Sequence, residues 1–596
     1  MKTNYFLKSL ALIALMALFT NVKAAEINVP KGATDTDIAA ALDKANAGDV
    51  ILINGTVTMK ALVDVTKNVT FRGVGTDAYF DGGGNCRLFE LHPDPIDGAK
   101  LLFDNLGFTG GNGYGSSPTD GGVARVYGGG VVEFTKCWFD SNQALRGGVF
   151  FVDGGGDFSI PALQVTCINC EMTNNLAFNG GGESRGGFLF VDGNANIDCE
   201  YCKITGNKSI GGRGGALCLF GNGTRRFFYC LFTDNKGGDW DDSGKIGDGE
   251  YEGGLAFITT GATTFESCAI VANQSWSHGG CIRGWGDTNT TITFINSTIS
   301  KNVSLHDRPP FWISGDCTYT FVNCILAENL GSNSGNGSGF EINERAKANI
   351  FNSVFVRNYL DSGEGACDIR ANADGATAAQ LTVKNSLIGL IYGDQNLVTV
   401  KDNSKIPTKS NIKMYRIADE AAQPDYASME NSGVDFGQGL RQSAWGQLYY
   451  LLTPGTTVTK LGDPALLDNY DINTDLFGKV RTVAADGSIS AAPTITSTPD
   501  YFDDSKTGIV SPKITSVQGN IRIIGIVENG ILGVDFGTVK GQTSGQLLSV
   551  SGEVVENVFN CNVVGKGYYN VHAAPGIYLL RVVNKGNTYV QKVIVK

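Results

Sequence analysis

Along much of the chain, apolar and polar residues alternate over short runs, as in "VFFVDG" from Val149, "FLFVDG" from Phe188, "LAFITTG" from Leu255 and "FEINE" from Phe340. A period of two predicts strands with one face turned inward. Between the runs a unit recurs, made of a Cys or Ser, an Asn five residues on, a segment of variable length, and Gly-Gly. It is found at Cys137/Asn142, Cys170/Asn175, Cys202/Asn207, Cys230/Asn235, Cys268/Asn273, Ser297/Asn302, Cys324/Asn329 and Ser353/Asn358. Successive units start 27 to 38 residues apart, a period that points to a solenoid. Strands recurring in one direction without helices between them cannot build a conventional parallel sheet, which needs helical crossovers. They can coil into a parallel β-helix, in which like residues stack at a spacing of ~4.8 Å. In such a coil the Cys or Ser is expected to be a small inward residue. The Asn is expected to take the left-handed backbone of a turn and to bond its amide to the Asn above and below. Gly-Gly restarts the strand where a side chain would clash or φ is positive.

The ends of the pattern read differently. "DTDIAAALDKANAGDVILINGTVTM" predicts a short amphipathic helix from Ile38 to Asn46 and then a strand, which would cover the open end of the coil. From about Tyr392 the repeat fades, and "STPDYFDDSKTGIVSPK" reads as a linker before a separate unit with the strands "GQLLSVSGEVV", "GIYLLRVVNKG" and "NTYVQKVIVK". The expected order is a signal peptide at 1–24, cap and first coils at 25–100, β-helix repeats at 101–395, an irregular closing region at 396–495, a linker at 496–513 and a C-terminal domain at 514–596.

Composition sharpens this picture. The 80 Gly against 15 Pro, without a Gly-X-Y period, suit many short strands and tight turns. A formal charge of −12 argues against nucleic acid as a partner. Lys2 and Lys8, the apolar run "LALIALMALF" and Val22-Lys23-Ala24 read as an export signal, with mature protein starting near Ala25. No apolar segment approaches the roughly 20 residues of a membrane span, so a secreted or cell-surface location is expected. Fourteen cysteines in an exported chain would ordinarily mean a disulfide framework. Their places in the repeat argue for a ladder of buried free thiols instead. The pairs Cys167/Cys170 and Cys199/Cys202 leave vertical disulfides and zinc open as alternatives.

The unit Cys-x-apolar-x-x-Asn followed by Gly-Gly, over about residues 100 to 390, resembles the polymorphic outer-membrane-protein type of repeat and, more broadly, right-handed parallel β-helix proteins. "LGDPALLDNYDINTDLFGKVRTVAADGSISAAP" is similar to the closing segment of bacterial surface β-helices. Residues 514–596 resemble the C-terminal sorting domain of type IX secretion substrates, through "LLSVSGEVV", "APGIYLLRV" with Pro575-Gly576-Ile577-Tyr578, and the terminal "YVQKVIVK". These resemblances imply an all-β fold: a right-handed parallel β-helix with a short N-terminal capping helix, followed by a small C-terminal β-sandwich. They further imply a Gram-negative outer-membrane export machinery as partner, which reads the last domain and usually removes it.

Parallel β-helices often act on acidic polysaccharides, so catalytic patterns matter. A pectin hydrolase would carry paired carboxylates with Gly-His-Gly and Arg-x-Lys. Asn473-Thr474-Asp475 and Asp241-Asp242 lie far apart and the other elements are missing. "RPPFWI" from Arg308 matches only part of a pectate-lyase-like Arg-x-Pro-x-x-Arg. A serine or cysteine mechanism would have only His92, His278, His306 and His572 to draw on. Two places stand out. "DWDDSGKIGDGE" from Asp239 follows a calcium loop, with Asp239, Asp241, Ser243, Lys245 and Glu250 at ligand positions, Gly244 at the bend and Ile246 as the apolar anchor. Its flanks are strands, and the alternative is a solvated acidic loop. The second is a patch on two successive coils: Trp276, His278, Arg283 and Trp285, then His306, Asp307, Arg308 and Trp312. Aromatic faces stack on sugars and Arg forks hold carboxylate or sulfate; the alternative is edge packing with surface charge. Arg283 aligns with Phe151, Phe190 and Phe257, expected to face inward, so a register slip or an inward cation is anticipated. Arg146, Arg185 and Arg213, each just before Gly-Gly, form either a basic column for an anionic partner or three solvated side chains. The expected function is adhesin-like binding or scaffolding of an extracellular glycan or host or cell-surface ligand. The alternative is a polysaccharide lyase or glycoside hydrolase acting on an acidic polysaccharide, with Ca2+ neutralising a uronate; a purely structural coat is the third possibility.

Overall fold

The computed structural model describes residues 24–389 apart from the segments 96–99, 157–161, 179–183, 239–251, 277–278, 306–307, 332–337, 359–366 and 372–378, together with short strands between 391 and 452 and most of 522–595. The export signal, the closing-segment motif and the linker lie outside the described residues. The chain divides into two compact units, Met1–Thr496 and Ser497–Lys596.

The first unit is a coil of parallel strands. Three long sheets run its length: a first of 14 strands, from Glu26–Val29 to Val398–Lys401, a second of 12, from Thr56–Thr58 to Leu387–Ile388, and a third of 12, from Val63–Val65 to Ile391–Gly393. A shorter fourth ladder of six strands, from Gln143–Ala144 to Val303–Ser304, stands between the second and third. One coil therefore passes through Thr224–Phe228, Leu231–Thr233, Lys236–Gly238 and Ala256–Ile258 before Ala262–Glu266 begins the next.

Two corners are built alike in successive coils from Val131 to Ser304. Between the first and second sheets stand two residues, such as Lys136-Cys137, Asn169-Cys170, Tyr201-Cys202, Tyr229-Cys230 and Ser267-Cys268, the first of each pair with φ between 53° and 56°. Between the second sheet and the fourth ladder stand two more: Ser141-Asn142, Asn174-Asn175, Gly206-Asn207, Asp234-Asn235 and Ala272-Asn273. A three-residue strand lies between the corners, which is why the Asn follows the Cys by five. The expectation that the ladder Asn is left-handed is corrected here. The residue before it carries the positive φ, as at Ser141 (58°) and Asp234 (58°), and the Asn is held by its amide. Asn175 Nδ2 donates to Asn207 Oδ1 at 2.9 Å, Asn207 Nδ2 to Asn235 Oδ1 at 3.0 Å and Asn235 Nδ2 to Asn273 Oδ1 at 2.8 Å. The Gly-Gly pair divides its two tasks. Gly147 takes φ +64°, while a Cβ on Gly148 would lie 2.2 Å from the Gly187 carbonyl of the next coil.

The interior is stacked by the same repetition. In the first sheet Phe71, Phe103, Phe134, Cys167, Cys199, Phe227, Phe265, Phe294 and Phe321 form one inward column, with neighbouring rings parallel at 4.9 Å for Phe71/Phe103 and 5.1 Å for Phe227/Phe265. Each buried ring contributes roughly 2 kcal/mol. The helix α1 (Asp35–Lys44) covers the first coils, burying Ile38, Ala41 and Leu42, and starts at a capping box of Thr34 and Asp37. It begins three residues before the expected Ile38 because Asp35 and Asp37 suit a first helical turn.

The second unit carries seven strands between Arg522 and Val595 in one sheet, nearly all antiparallel. Strands at its two ends meet, Phe559 stacking on Tyr569 at 4.1 Å over a core of Leu547, Leu580 and Val593. The two ends of the sheet thus pack together over one core.

Replacing Asn207 by Ala removes the Oδ1 that accepts from Asn175 N and Nδ2, and the Nδ2 that donates to Met172 O and Asn235 Oδ1, leaving Asn235 Oδ1 with the backbone N–H of residue 207 alone. The expected loss is about 2–4 kcal/mol, read from urea unfolding followed by tryptophan fluorescence; a shift below about 0.5 kcal/mol, the usual size of a surface substitution, would show that the amide ladder does not hold the coils.

Candidate functional site

The third sheet has two covered faces. Phe150 and Val152 point into the coil core, whereas Phe151 between them belongs to a separate cluster with Phe190, Cys218 and Phe257 on the outer face. The register of this outer column runs Glu90, Arg125, Phe151, Phe190, Cys218, Phe257, Arg283, Trp312, Glu341, Arg370. Arg283 therefore aligns with the phenylalanines without any slip. The inward direction expected for that column is corrected: the residues face out, and the cation lies among groups that also face out.

Arginines roof this outer cluster. Arg146 lies over Phe151 at 4.8 Å and Phe190 at 5.3 Å, Arg185 over Phe220 at 5.1 Å and Arg213 over Phe257 at 4.8 Å. Arg185 pairs in register with Arg146 on one side and Arg213 on the other. Like charges stacked at ~4.8 Å would repel, and acids terminate the column. Asp120 accepts both Nε and Nη2 of Arg146 at 2.8 and 2.7 Å, and Glu252 stands 3.5 Å from Arg213 Nε. Asp120 and Glu252 occupy the same place before Gly-Gly as the arginines. Neither solvated side chains nor a bare basic column describes these arginines; they are a packed cover over aromatic rings.

The patch follows directly after. Arg283, 5 % exposed, holds Glu252 at 3.3 Å through Nε and donates from Nη1 to Gly284 O at 2.7 Å and Ser314 Oγ at 2.9 Å. Its guanidinium lies 3.7 Å from the centre of Trp312, and Arg308 approaches the same ring at 5.1 Å. Burial pulls the Arg283 pKa down and Glu252 raises it in part, leaving a fixed cation. Arg308 reaches the fully buried Glu341, whose Oε1 also accepts from Asn343 Nδ2 at 2.8 Å. Trp285, two residues beyond Arg283 on the same face of its strand, pairs with Ser314 and is 51 % exposed. The structure thus brings together Arg283, Trp285, Arg308 and Trp312. Trp276 stands on another part of the coil, after the fourth-ladder strand Gln274–Ser275 and against Gly238. His278, His306 and Asp307 lie outside the described residues, as do Asp239, Asp241, Ser243, Lys245 and Glu250 of the proposed calcium loop. Glu252, Glu341 and Ser314 were missed in the sequence, although "YEGG" and "FEINE" put both acids in positions already counted for arginine and aromatic residues.

Among the described residues no group of three or more His, Cys, Asp and Glu is arranged to hold a metal ion. All fourteen cysteines are free thiols, and all but Cys561 are buried. Cys170, Cys202, Cys230 and Cys268 point into the coil and donate to a carbonyl one coil back at 3.3 Å. Cys167 and Cys199 replace phenylalanine in the inward stack, and Phe188 from the third-sheet side joins the core beside Phe150 at that level. Burial pushes the Cys170, Cys230 and Cys281 thiols up, so they are poor nucleophiles.

Two outcomes are expected. A thiol reagent should modify no more than Cys561 in the folded chain and all fourteen cysteines after unfolding; a fast-reacting coil thiol would contradict the ladder. Arg283→Ala leaves Glu252 buried with one cation fewer and should cost about 3–5 kcal/mol, seen as an earlier unfolding midpoint.

No curated protein matches this chain. A family model described as right handed beta helix region matches residues 121–326, the stretch that holds the Cys/Asn corners from Cys137 to Cys324 and the arginine cover from Arg146 to Arg213. With the sheets and corners described above, that match identifies the fold of the first unit as a right-handed parallel β-helix.

Proposed function

We propose that this is an extracellular β-helix protein that binds or scaffolds an acidic glycan, adhesin-like, on the outer face of its third sheet. The observation that carries the reading is Trp285, half exposed on a face whose neighbouring column is buried, beside Trp312 and two guanidiniums. A bare indole face stacks on a sugar ring, and the fork of Arg308, itself partly exposed, suits carboxylate or sulfate. The net charge of −12 opposes a polyanion at long range, so binding depends on these local contacts and weakens with salt.

One observation favours a lyase or glycoside hydrolase as the second reading. Glu252, held by Arg213 and Arg283, follows the acidic segment Asp239–Glu250 closely in the chain. A Ca2+ held by that calcium-loop-like segment would neutralise a uronate carboxylate. Export follows the sequence features: residues 1–24 as signal, and 514–596 as a type IX-like sorting domain delivering the chain to the outside of a Gram-negative cell. The separate fold of the second unit supports that division.

Titration with polygalacturonate, with neutral dextran as control, should change tryptophan fluorescence. Affinity should fall about tenfold or more, as for the loss of a central contact, in Trp285→Ala and in Arg308→Ala. Unchanged affinity in both variants would reject the site. Appearance of an unsaturated, ultraviolet-absorbing product, dependent on Ca2+ and lost in Asp239→Ala/Glu250→Ala, would favour the lyase.

A further inference from the structure

Among the described residues of the first sheet, one charged side chain turns into the coil. Arg225 lies two residues before Phe227 on Thr224–Phe228, and its column reads Val132, Val165, Ile197, Arg225, Thr263, Ile292, Tyr319. It is 1 % exposed. Nη1 donates to Thr260 O at 2.6 Å, and Nη2 to Phe220 O at 2.6 Å and to Gly221 O. Those carbonyls belong to two successive passages from the third sheet to the first, so the guanidinium ties one coil to the next. The space it uses exists because residue 261 is Gly: at φ +75°, a Cβ there would lie 2.1 Å from Nη1.

Its partners are all neutral. Among the described residues no carboxylate reaches Arg225, and burial alone lowers its pKa, to about 10, which keeps it charged at neutral pH. Carbonyl dipoles serve Nη1 and Nη2, but the Nε of Arg225 is buried without a hydrogen-bond partner, and so is the hydroxyl of Thr263, the next residue of the same column. Each unmet donor carries the desolvation cost of a hydrogen bond lost to burial, and a buried charge without a counter-ion costs more. Two donors and one uncompensated positive charge, on adjacent rungs inside an apolar coil, call for a single acceptor carrying one negative charge. A water molecule would serve the donors and leave the charge.

We infer that the coil interior beside Arg225 and Thr263 binds a small monovalent anion of the halide class, with the Arg225 Nε–H and the Thr263 hydroxyl as its donors. The ion enters as the coils close on one another, and it complements a cation that the fold itself buries. This site is separate from the glycan face: it lies inside the first sheet, and its test does not depend on any glycan.

The experiment is thermal unfolding of the full chain in sodium chloride, sodium bromide and sodium gluconate at matched ionic strength. Wild type should show a saturable rise in midpoint with chloride or bromide over gluconate. Thr263→Val, which keeps shape and the guanidinium, should lose most of that rise, and Arg225→Met all of it. Crystals grown in bromide should show anomalous density beside Nε, which keeps the question open to test even where Arg225→Met does not fold. Equal midpoints in the three salts for wild type, a halide rise that Thr263→Val leaves intact, or an absence of bromide density at Arg225 would each overturn the inference.

Discussion

Each strand residue of this coil has as its neighbour the equivalent residue one coil earlier, held there by parallel backbone hydrogen bonds. The structure depends on that single constraint. A side chain acceptable beside a copy of itself can recur, and one that is not must be altered or compensated in every rung. Phenylalanine recurs because offset rings stack well. Asparagine recurs because its amide carries a donor and an acceptor, so each Asn satisfies the one before and is satisfied by the one after. Cysteine recurs at the other corner because a small, weakly polar group can bond the carbonyl one coil back without needing room.

Charge is where the same constraint becomes costly. Arg146, Arg185 and Arg213 stack upon one another, yet each lies over an aromatic ring and the run ends in Asp120 and Glu252. Glu252 serves Arg213 and Arg283 together, so the roof over the phenylalanines and the charged patch beyond it form one electrostatic unit. The outer face of the third sheet has thereby acquired a second core of rings and guanidiniums. Among the described residues of that face, Trp285 is the large apolar side chain left half open to solvent, which separates it from residues whose work is packing.

The corners were legible in the sequence and the faces were not. Cys and Asn at a fixed spacing of five betray two corners of fixed length. The left-handed residue ahead of each Asn is Ser, Asn, Gly, Asp, Ala, Lys, Glu or Arg in turn, so no residue type marks it, and the Asn drew the assignment in its place. The third-sheet strands read as inward because "VFFV" and "FLFV" are apolar at consecutive positions. A strand buried on both faces loses its period of two, and with it the sign that Phe151 and Phe190 point away from the core. Arg283 was the clue: a cation in register with four aromatic or thiol positions is explained by a face that carries its own counter-ions. Arg225 gave no signal at all, since "TRRFF" places two arginines side by side and only the register turns the first one inward.

Length variation points to where function is added. The passages between the first and second sheets, and between the second sheet and the fourth ladder, hold two residues in coil after coil; an added residue there would shift the Cys or Asn out of its ladder. The passage into the third sheet obeys no such limit. It runs from Ile210 to Leu217 in one coil, from Gly238 to Ala256 in the next and from Ser275 to Ile282 in the one after. Chain inserted there, ahead of the Arg or Glu that precedes Gly-Gly, leaves the Cys and Asn ladders in place and enters the third sheet beside the arginine and tryptophan column. Acidic residues 239–250, His278, His306 and Asp307 all fall in such passages. A coil that must repeat everywhere else can vary there at little cost in stability, so that corner is where differences in ligand would be written.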